Sequence, residues 1–422
     1  MFPLRKRTAF IDLSPLRSNR AFARLWVGSS VSAVGGQLSS YAVLLQSWDL
    51  THSPAAVGGT GLAIGVPRIL SAFFGGALAD CANRRRLVLV SGLGLIAGSF
   101  ALTVQSAVHW SSIWLIYLIS AVKAVLSSVS GPARATFIPS LLTADQVPAG
   151  VALNQVASQW SVFAGPTMAG WLTAWFGLTT CYALDTLSYI ASLYGVFRLP
   201  TLTAVEKKRP GFTLMVDGVR HITGKPVLVG CLLADLCGMV LAYPNALLPE
   251  LNEDRFGGDP ATLAYLISTM ALGGFLSSLI SGWATRFDRT GLLMLLTVMV
   301  WGCALAAAGL LSSLWTVLAL LLMAGAADTV TVLCKGIIVQ LSSGREYLGR
   351  VNAAAQSIGV AGPALGNFRA GITGSVFGAE AAVVLGGVLS LCGGLCLLIG
   401  VPSVRRFSRT GASPAHQEDV AI

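Results

Sequence analysis

Apolar stretches of about 20 residues recur along the chain, beginning near Ala21, Ala55, Arg86, Ser112, Gly150, Thr179, Pro226, Ala261, Gly291, Leu314, Val351 and Ala381. That is the length a helix needs to cross about 30 Å of hydrocarbon. Twelve such segments fit within 422 residues and leave connectors of ordinary length, so the sequence predicts an all-α membrane protein with twelve transmembrane helices. Composition argues the same way, because 54% of the side chains are hydrophobic and only 11% charged, whereas soluble proteins carry roughly 25% charge. With 18 acids and 28 bases the chain lacks the polar surface of a water-soluble fold of this length.

Several chemistries are excluded early. The eight Cys lie mostly inside apolar runs, as Cys231, Cys237, Cys303 and Cys392 do, and none belongs to a CxxC pair or a His-containing cluster. No disulfide framework, metal site or cofactor is therefore expected. His52, His109, His221 and His416 sit beside loop signals or in the tail, and no GxxxxGK[ST] run offers a nucleotide-driven pump. No pairing of nucleophile and base suggests an enzyme.

The bases are distributed unevenly. Of the 28 Lys and Arg, 24 fall in the N-terminal tail, the even-to-odd connectors with the helix ends facing them, or the C-terminal tail. Basic loops resist translocation, which predicts both termini in the cytoplasm. The net charge of +10 is then topological, and no soluble segment is large enough to present those bases to a nucleic acid. The basic start (Arg5, Lys6, Arg7) is followed by no short apolar core with a small-residue cleavage site, so the first span is expected to serve as the targeting signal. The expected organisation is a cytoplasmic tail (1–20), a six-helix bundle (21–198), a cytoplasmic linker with the amphipathic stretch GFTLMVDGVRHI (199–225), a second six-helix bundle (226–402) and a cytoplasmic tail (403–422).

The halves echo each other. "SSIW" at Ser111 to Trp114 opens the fourth span and "SSLW" at Ser312 to Trp315 the tenth; "AGPTMAG" from Ala164 lies in the fifth and "AGPALGN" from Ala361 in the eleventh. Two similar bundles able to rock about a site at their interface are a common plan for secondary transporters.

The second span closes on Gly75-Gly-Ala-Leu-Ala-Asp80-Cys-Ala-Asn-Arg84-Arg85-Arg86. This run resembles the loop signature of the major facilitator superfamily, matching at Gly76, Asp80, Arg84 and Arg85, with Cys81 for the usual basic residue and Asn83 for the usual Gly. The resemblance implies the two-bundle major facilitator fold and a gating latch in which Asp80 accepts bonds from neighbouring helices while Arg84 and Arg85 meet anionic headgroups or a helix C-terminus. The fifth span's Gly165-Pro166-Thr-Met-Ala169-Gly170 is similar to the Gly-Pro signature of proton-coupled exporters, although Ser161 and Ala169 stand where glycines are usual. Small residues there admit a close neighbour and Pro166 favours a bend, so Gly165, Pro166 and Gly170 are expected to gate.

The run from Gly131 to Gln155, with "CYALDTLSYI", "AYPNALLPEL", "GAADTVTV" and "LGRVNAAAQ", resembles the enterobactin-exporter branch of bacterial facilitators over nearly the whole chain. What the branch implies is export of siderophores or, in other cases, antibiotics. The fourth-span base of many proton antiporters corresponds to Lys123, with Leu126 and Ser127 where a polar residue and Gly are usual.

An ionised side chain near mid-membrane costs about 2.5 to 3.5 kcal/mol on insertion scales, so such groups are kept in cavities or pairs. Arg68, Lys123, Asp185, Asp235, Asp328 and Arg369 qualify. With no His in a span, a side-chain proton route must run through carboxylates, and Asp235 with Asp328 is the preferred pair. Asp185 reads as structural or water-exposed. Lys335, seven residues after Asp328 and so about 10 Å along the same face, reads as snorkelling to the cytoplasmic interface. For cargo, the first span offers Gln37 and Tyr41 on one helix face and the fifth offers Gln155, Gln159 and Trp160. Arg68, Lys123 and Arg369 suit an anionic, aromatic iron chelator through charge pairing and cation–π contact.

The expectation is a monomeric, multi-pass protein of the bacterial inner membrane that exchanges protons for a small amphiphilic molecule, most simply a siderophore. A multidrug or antibiotic exporter and a transport-dead receptor or scaffold are the alternatives.

Overall fold

The computed structural model describes residues 13–81, 84–110, 112–143, 145–197, 220–279, 287–344 and 347–408, without the side chains of 72–81, 84 and 353. Within them the chain is helical and has no strand. Two short helices, α1 (Ser14–Ser18) and α6 (Phe137–Leu141), accompany six long ones in the first half: α2 (Arg20–Thr51), α3 (Pro54–Cys81), α4 (Arg84–Ala107), α5 (Ile113–Ala135), α7 (Val147–Phe176) and α8 (Leu178–Phe197). The second half supplies α9 (Pro226–Ala242), the short α10 (Leu248–Phe256), α11 (Pro260–Leu279), α12 (Thr290–Leu310), α13 (Leu314–Ser342), α14 (Leu348–Phe377), α15 (Ala379–Gly400) and the final turn α16 (Pro402–Arg405). Each apolar stretch read from the sequence falls on a long helix, whose start lies within three residues of the expected one.

Local chemistry sets these ends. Asn19 caps α2 by accepting from the backbone N–H of Ala21 and Phe22 at 2.9 and 3.0 Å. Proline opens α3, α9 and α11, where its missing N–H costs nothing. Helices α7 and α14 are a matched pair: each runs 30 residues, contains a proline (Pro166, Pro363), and stops at a glycine with φ of 81° (Gly177, Gly378) that turns the chain directly into the next helix.

Six helical segments among the described residues are long and apolar enough to cross a membrane by length and composition: Arg85–Ala107, Ile113–Leu141, Pro260–Leu279, Thr290–Leu310, Leu314–Ser342 and Ala379–Gly400. Pro226–Ala242 is apolar but shorter. Several of the other long helices carry more polar residues: α2 holds the half-buried Gln37 and a run of serines, α3 the exposed Arg68, and α14 the exposed Asn352 and Gln356 with the half-buried Asn367 and Arg369. Exposed aromatics mark one boundary of the apolar surface, with Trp110 and Trp114 between α4 and α5, Trp175 and Phe176 ending α7, Trp315 starting α13 and Phe377 ending α14. Amphipathic rings favour that depth in a bilayer.

Packing follows the sequence halves. Helix α2 lies against α7 and α8, α4 against α5 and α8, and α3 against α5; in the second half α12 lies against α13 and α15, α11 against α13, and α9 against α14 and α15. The main contacts between halves are α3 with α14 and α7 with α11. Small residues make them possible. A Cβ at Gly58 would stand 2.6 Å from Asn367 O, one at Gly371 2.4 Å from Pro54 O, and one at Gly170 2.3 Å from the Ala264 Cβ. These contacts cluster toward the face where α2 ends.

Candidate functional site

Each half places one buried ion pair at its centre. In the first, Lys123 Nζ of α5 lies 2.7 Å from Asp185 Oδ2 of α8. The same carboxylate oxygen accepts from Ser99 Oγ of α4 at 2.7 Å, and the ammonium also reaches Ser39 Oγ of α2 at 3.0 Å. Four helices thus meet on one charge pair. Asp185 is wholly buried and paired, so of the two readings, structural or water-exposed, the second is overturned. The cation and the hydroxyl both answer Oδ2, while Oδ1 is buried without a hydrogen-bond partner among the described residues.

In the second half Lys335 Nζ of α13 lies 2.7 Å from Asp235 Oδ2 of α9. Lys335 therefore turns inward to a carboxylate and does not snorkel to the interface as its spacing suggested. Asp328, two turns earlier on α13, makes no hydrogen bond or ion pair among the described residues, although Asp235 and Lys335 are both within electrostatic reach. Asp235, Asp328, Gly238, Trp301 and Thr331 line one small cavity. The preferred carboxylate pair is thus brought together, one member paired and one spare.

A larger cavity, about 400 Å³, occupies the first half on the face where α2 starts. Trp26, Ser29 and Ser30 of α2, Ser127, Ser130 and Arg134 of α5, Asn154 and Ser158 of α7 and Tyr189 of α8 are among its lining, and no acidic residue is. Arg134 donates to Ser192 Oγ at 2.7 Å. The Tyr189 ring faces Lys123 Nζ at 5.8 Å, and its hydroxyl lies within electrostatic reach of Arg134 and Arg68. Tyr189 thus lies among Arg134, Arg68 and the Lys123–Asp185 pair, and since Asp185 answers Lys123, the arginines are the bases left to meet a negative charge beside a ring. Arg134 and Tyr189 were missed in the sequence. Arg134 reads there as an interface anchor, yet the shift that takes Ser111 to Ser312 also takes Arg134 onto Lys335. That equivalence was the available signal.

The remaining sequence candidates divide. Gln37 packs where a Cβ at Gly165 would come within 2.3 Å of its own, so α2 and α7 touch through that pair. Tyr41 is buried, and its hydroxyl donates to Pro260 O of α11 at 2.5 Å, joining the two halves rather than lining the large cavity. Gln155, Gln159 and the half-exposed Trp160 lie on α7 outside that lining. Arg68 is exposed on α3. Arg369 lies on α14 beside Gly386 of α15, with Nε and Nη1 buried and without an acceptor among the described residues, and it is not part of the large cavity's lining. Of the gating residues, Pro166 is buried inside α7 and Gly170 seats α7 on α11. Arg85 donates to Phe197 O at the end of α8, with its guanidinium 5.7 Å from that ring. The side chains of Asp80 and Arg84 and the connector at 198–219 lie outside the described residues.

Across the face where α2 ends, the short helix α10 clasps both halves. Trp48 Nε1 of α2 donates to Glu253 Oε2 at 2.6 Å, and His52 Nδ1 lies 3.5 Å from the same oxygen. Arg255 pairs with Glu380 and donates to the terminal carbonyls of Gly309 and Leu311, both at 2.6 Å, which caps α12. Glu250, beside them, has its carboxyl pushed above the usual range, first by burial and then by Asp254 and Glu253, although the Ala379 N–H it accepts acts in the other direction.

Residues 11–421 match the family model of the transmembrane secretion effectors. Curated relatives include the enterobactin exporter EntS of Shigella boydii serotype 18 and of Escherichia coli O1:K1, each 25% identical over 409 residues, 96% of this chain and 98% of the relative. Among solved structures, the nucleoside transporter NupG superposes with a TM-score of 0.72 at 12% identity, covering 90% of this chain and 98% of that one. A bacterial homologue of the iron transporter ferroportin, inward-facing, gives 0.67 at 15% identity, covering 89% and 98%. The chain shares their fold, and its family and relatives are transporters rather than enzymes. With the match running almost end to end, the chain belongs to the transmembrane secretion effectors of the major facilitator superfamily.

Proposed function

We propose that this protein is a proton-coupled antiporter of the bacterial inner membrane that exports a small anionic, aromatic-bearing amphiphile of the siderophore class. Its twelve long helices cross the bilayer as two six-helix bundles, with both termini in the cytoplasm, and the bundles rock about the space between them. The observation that carries this reading is a division of labour. Among the described residues, the first half holds a cavity lined by one base, Arg134, with serines, aromatic rings and no acid, while the second holds a carboxylate without a partner beside a complete ion pair.

Cargo enters from the cytoplasm against Arg134 and Tyr189. Asp328 carries the proton, because a carboxylate in a low-dielectric interior is strongly driven to neutralise unless a cation answers it, and Lys335 already answers Asp235. A proton that reaches Asp235 frees Lys335, which then draws on Asp328; this exchange of partners is the bistable element that the two bundles follow. The relatives' export of enterobactin supports the cargo class.

Everted membrane vesicles test the cargo. Under an inward-acid gradient they are expected to accumulate a catecholate siderophore, and Arg134→Gln to lower that accumulation by about tenfold, the loss of one charge-assisted contact. Accumulation of unrelated lipophilic cations alone would establish a multidrug exporter instead, and gradient-independent binding without flux a receptor.

A further inference from the structure

The small cavity between α9, α12 and α13 has a volume of about 10 Å³ and is lined by Asp235 and Gly238 of α9, Trp301 of α12 and Asp328 and Thr331 of α13, among others. That is close to the smallest volume that holds one water molecule. Most of its wall is apolar, from Ala234, Met239 and Val298 among others, and the polar groups at its edge are few. Trp301 is 3% exposed, and its Nε1–H has no acceptor among the described residues. The indole edge that carries this group faces the cavity, since Cδ1 lies 4.0 Å from where a Cβ at Gly238 would stand. Thr331 already donates to Ala327 O at 3.1 Å and meets Thr297 Oγ1 at 2.8 Å. What remains is one donor and two carboxylates.

We infer that this cavity is a binding site for a single resident water, which accepts from Trp301 Nε1–H and from the protonated Asp328 carboxyl and donates to the Asp235 carboxylate. A metal cation of the same size would be repelled by the indole N–H, whereas a water satisfies all three groups and makes the usual number of hydrogen bonds for a buried one. The water also gives the two acids a connection they lack directly. A proton leaves the Asp328 carboxyl for the water oxygen while the water passes one of its own to the Asp235 carboxylate. Asp328 ends ionised, Asp235 ends neutral and the water is regenerated. Lys335 is thereby released from Asp235 without either helix moving first. This inference rests on Asp328 as the proton carrier.

Gly238 makes it testable, because a methyl there meets nothing closer than 4.0 Å yet takes up the space the water needs. Alanine also suits a helix interior better than glycine, so Gly238→Ala is expected to fold. Purified full-length protein in lipid is compared in ordinary and ¹⁸O water by infrared difference spectroscopy, with wild type, Gly238→Ala and Trp301→Phe. The expected result is an isotope-sensitive O–H band in wild type, lost in Gly238→Ala and shifted in Trp301→Phe, with gradient-driven efflux in Gly238→Ala lowered on the order of a hundredfold. No such band in wild type, a band unchanged in both variants, or full efflux in Gly238→Ala overturns the water site. Asp328→Asn in the same series separates the two ideas. Inactive Asp328→Asn beside active Gly238→Ala leaves the carrier standing and removes the water, whereas fully active Asp328→Asn removes the carrier and leaves the site to be judged by the band alone.

Discussion

Lys123 and Asp185 illustrate how a single buried charge is made acceptable. Alone, either would cost several kcal/mol to hold away from water. Together, with Ser99 and Ser39 supplying further bonds, they pin α2, α4, α5 and α8 at one point. Lys123→Met is therefore expected to cost about 3–5 kcal/mol of stability, whereas adding Asp185→Asn to it restores most of the loss, because the orphaned carboxylate rather than the missing bond is the expense. Thermal unfolding in detergent, read as a double-mutant cycle, measures this; equal destabilisation in the single and double variants would deny the pairing its role. At this scale the sequence reveals which residues matter and not whom they meet. Arg68, Lys123, Asp185, Asp235, Asp328 and Arg369 stand out because ionised groups are rare in apolar runs. Their partners lie 62 and 100 residues away on other helices, beyond any local pattern. Lys335 was misread for that reason, since spacing along one helix says nothing about a carboxylate on another.

Helix boundaries were far more legible than helix partners. Proline starts, the glycine ends of α7 and α14 and runs of hydrophobic residues are local signals that tertiary contacts have little reason to override. The short helices α1, α6 and α10 escaped because they are too brief for hydropathy, and α10 matters most among them: it carries Glu253, which bonds Trp48 of the other half, and Arg255, which caps α12 within its own half. The role of glycine along α3 and α14 was only partly readable. Small residues announce close approach, but not that Gly58 and Gly371 face each other across the halves. Gly371→Ala brings a methyl within 2.4 Å of Pro54 O and 3.0 Å of Gly58 Cα, both backbone atoms that cannot swing aside. The expected outcome is a population shift toward molecules open at this face, seen as longer distances between spin labels near the start of α3 and the end of α14. An unchanged distance distribution with wild-type transport would mean that this contact does not gate.

For the whole molecule, the arrangement combines closure on one face with a cavity on the other. Trp48 to Glu253, Tyr41 to Pro260 and the glycine contacts of α3 with α14 all join the halves on the side where α2 ends. The basic cavity lies toward the opposite side. The excess of Lys and Arg in the connectors of that side assigns it to the cytoplasm under the orientation proposed here, so the molecule stands ready to receive cargo from within the cell. The internal echoes of sequence point to two related halves, and each half of the chain holds one buried Lys–Asp pair. They do not tell how the halves differ, with the larger cavity in one and Asp328 beside an ion pair in the other, because duplication predicts likeness and the difference lies where the copies have diverged.

That division is tested most directly by following protons and cargo together in proteoliposomes. When a catecholate siderophore is driven down its own gradient through the wild-type protein, the account predicts counter-movement of protons, recorded by a pH dye, and its loss in Asp328→Asn while cargo still binds. Proton movement that persists at the wild-type rate in Asp328→Asn, or cargo flux with no proton movement in the wild type, would contradict it.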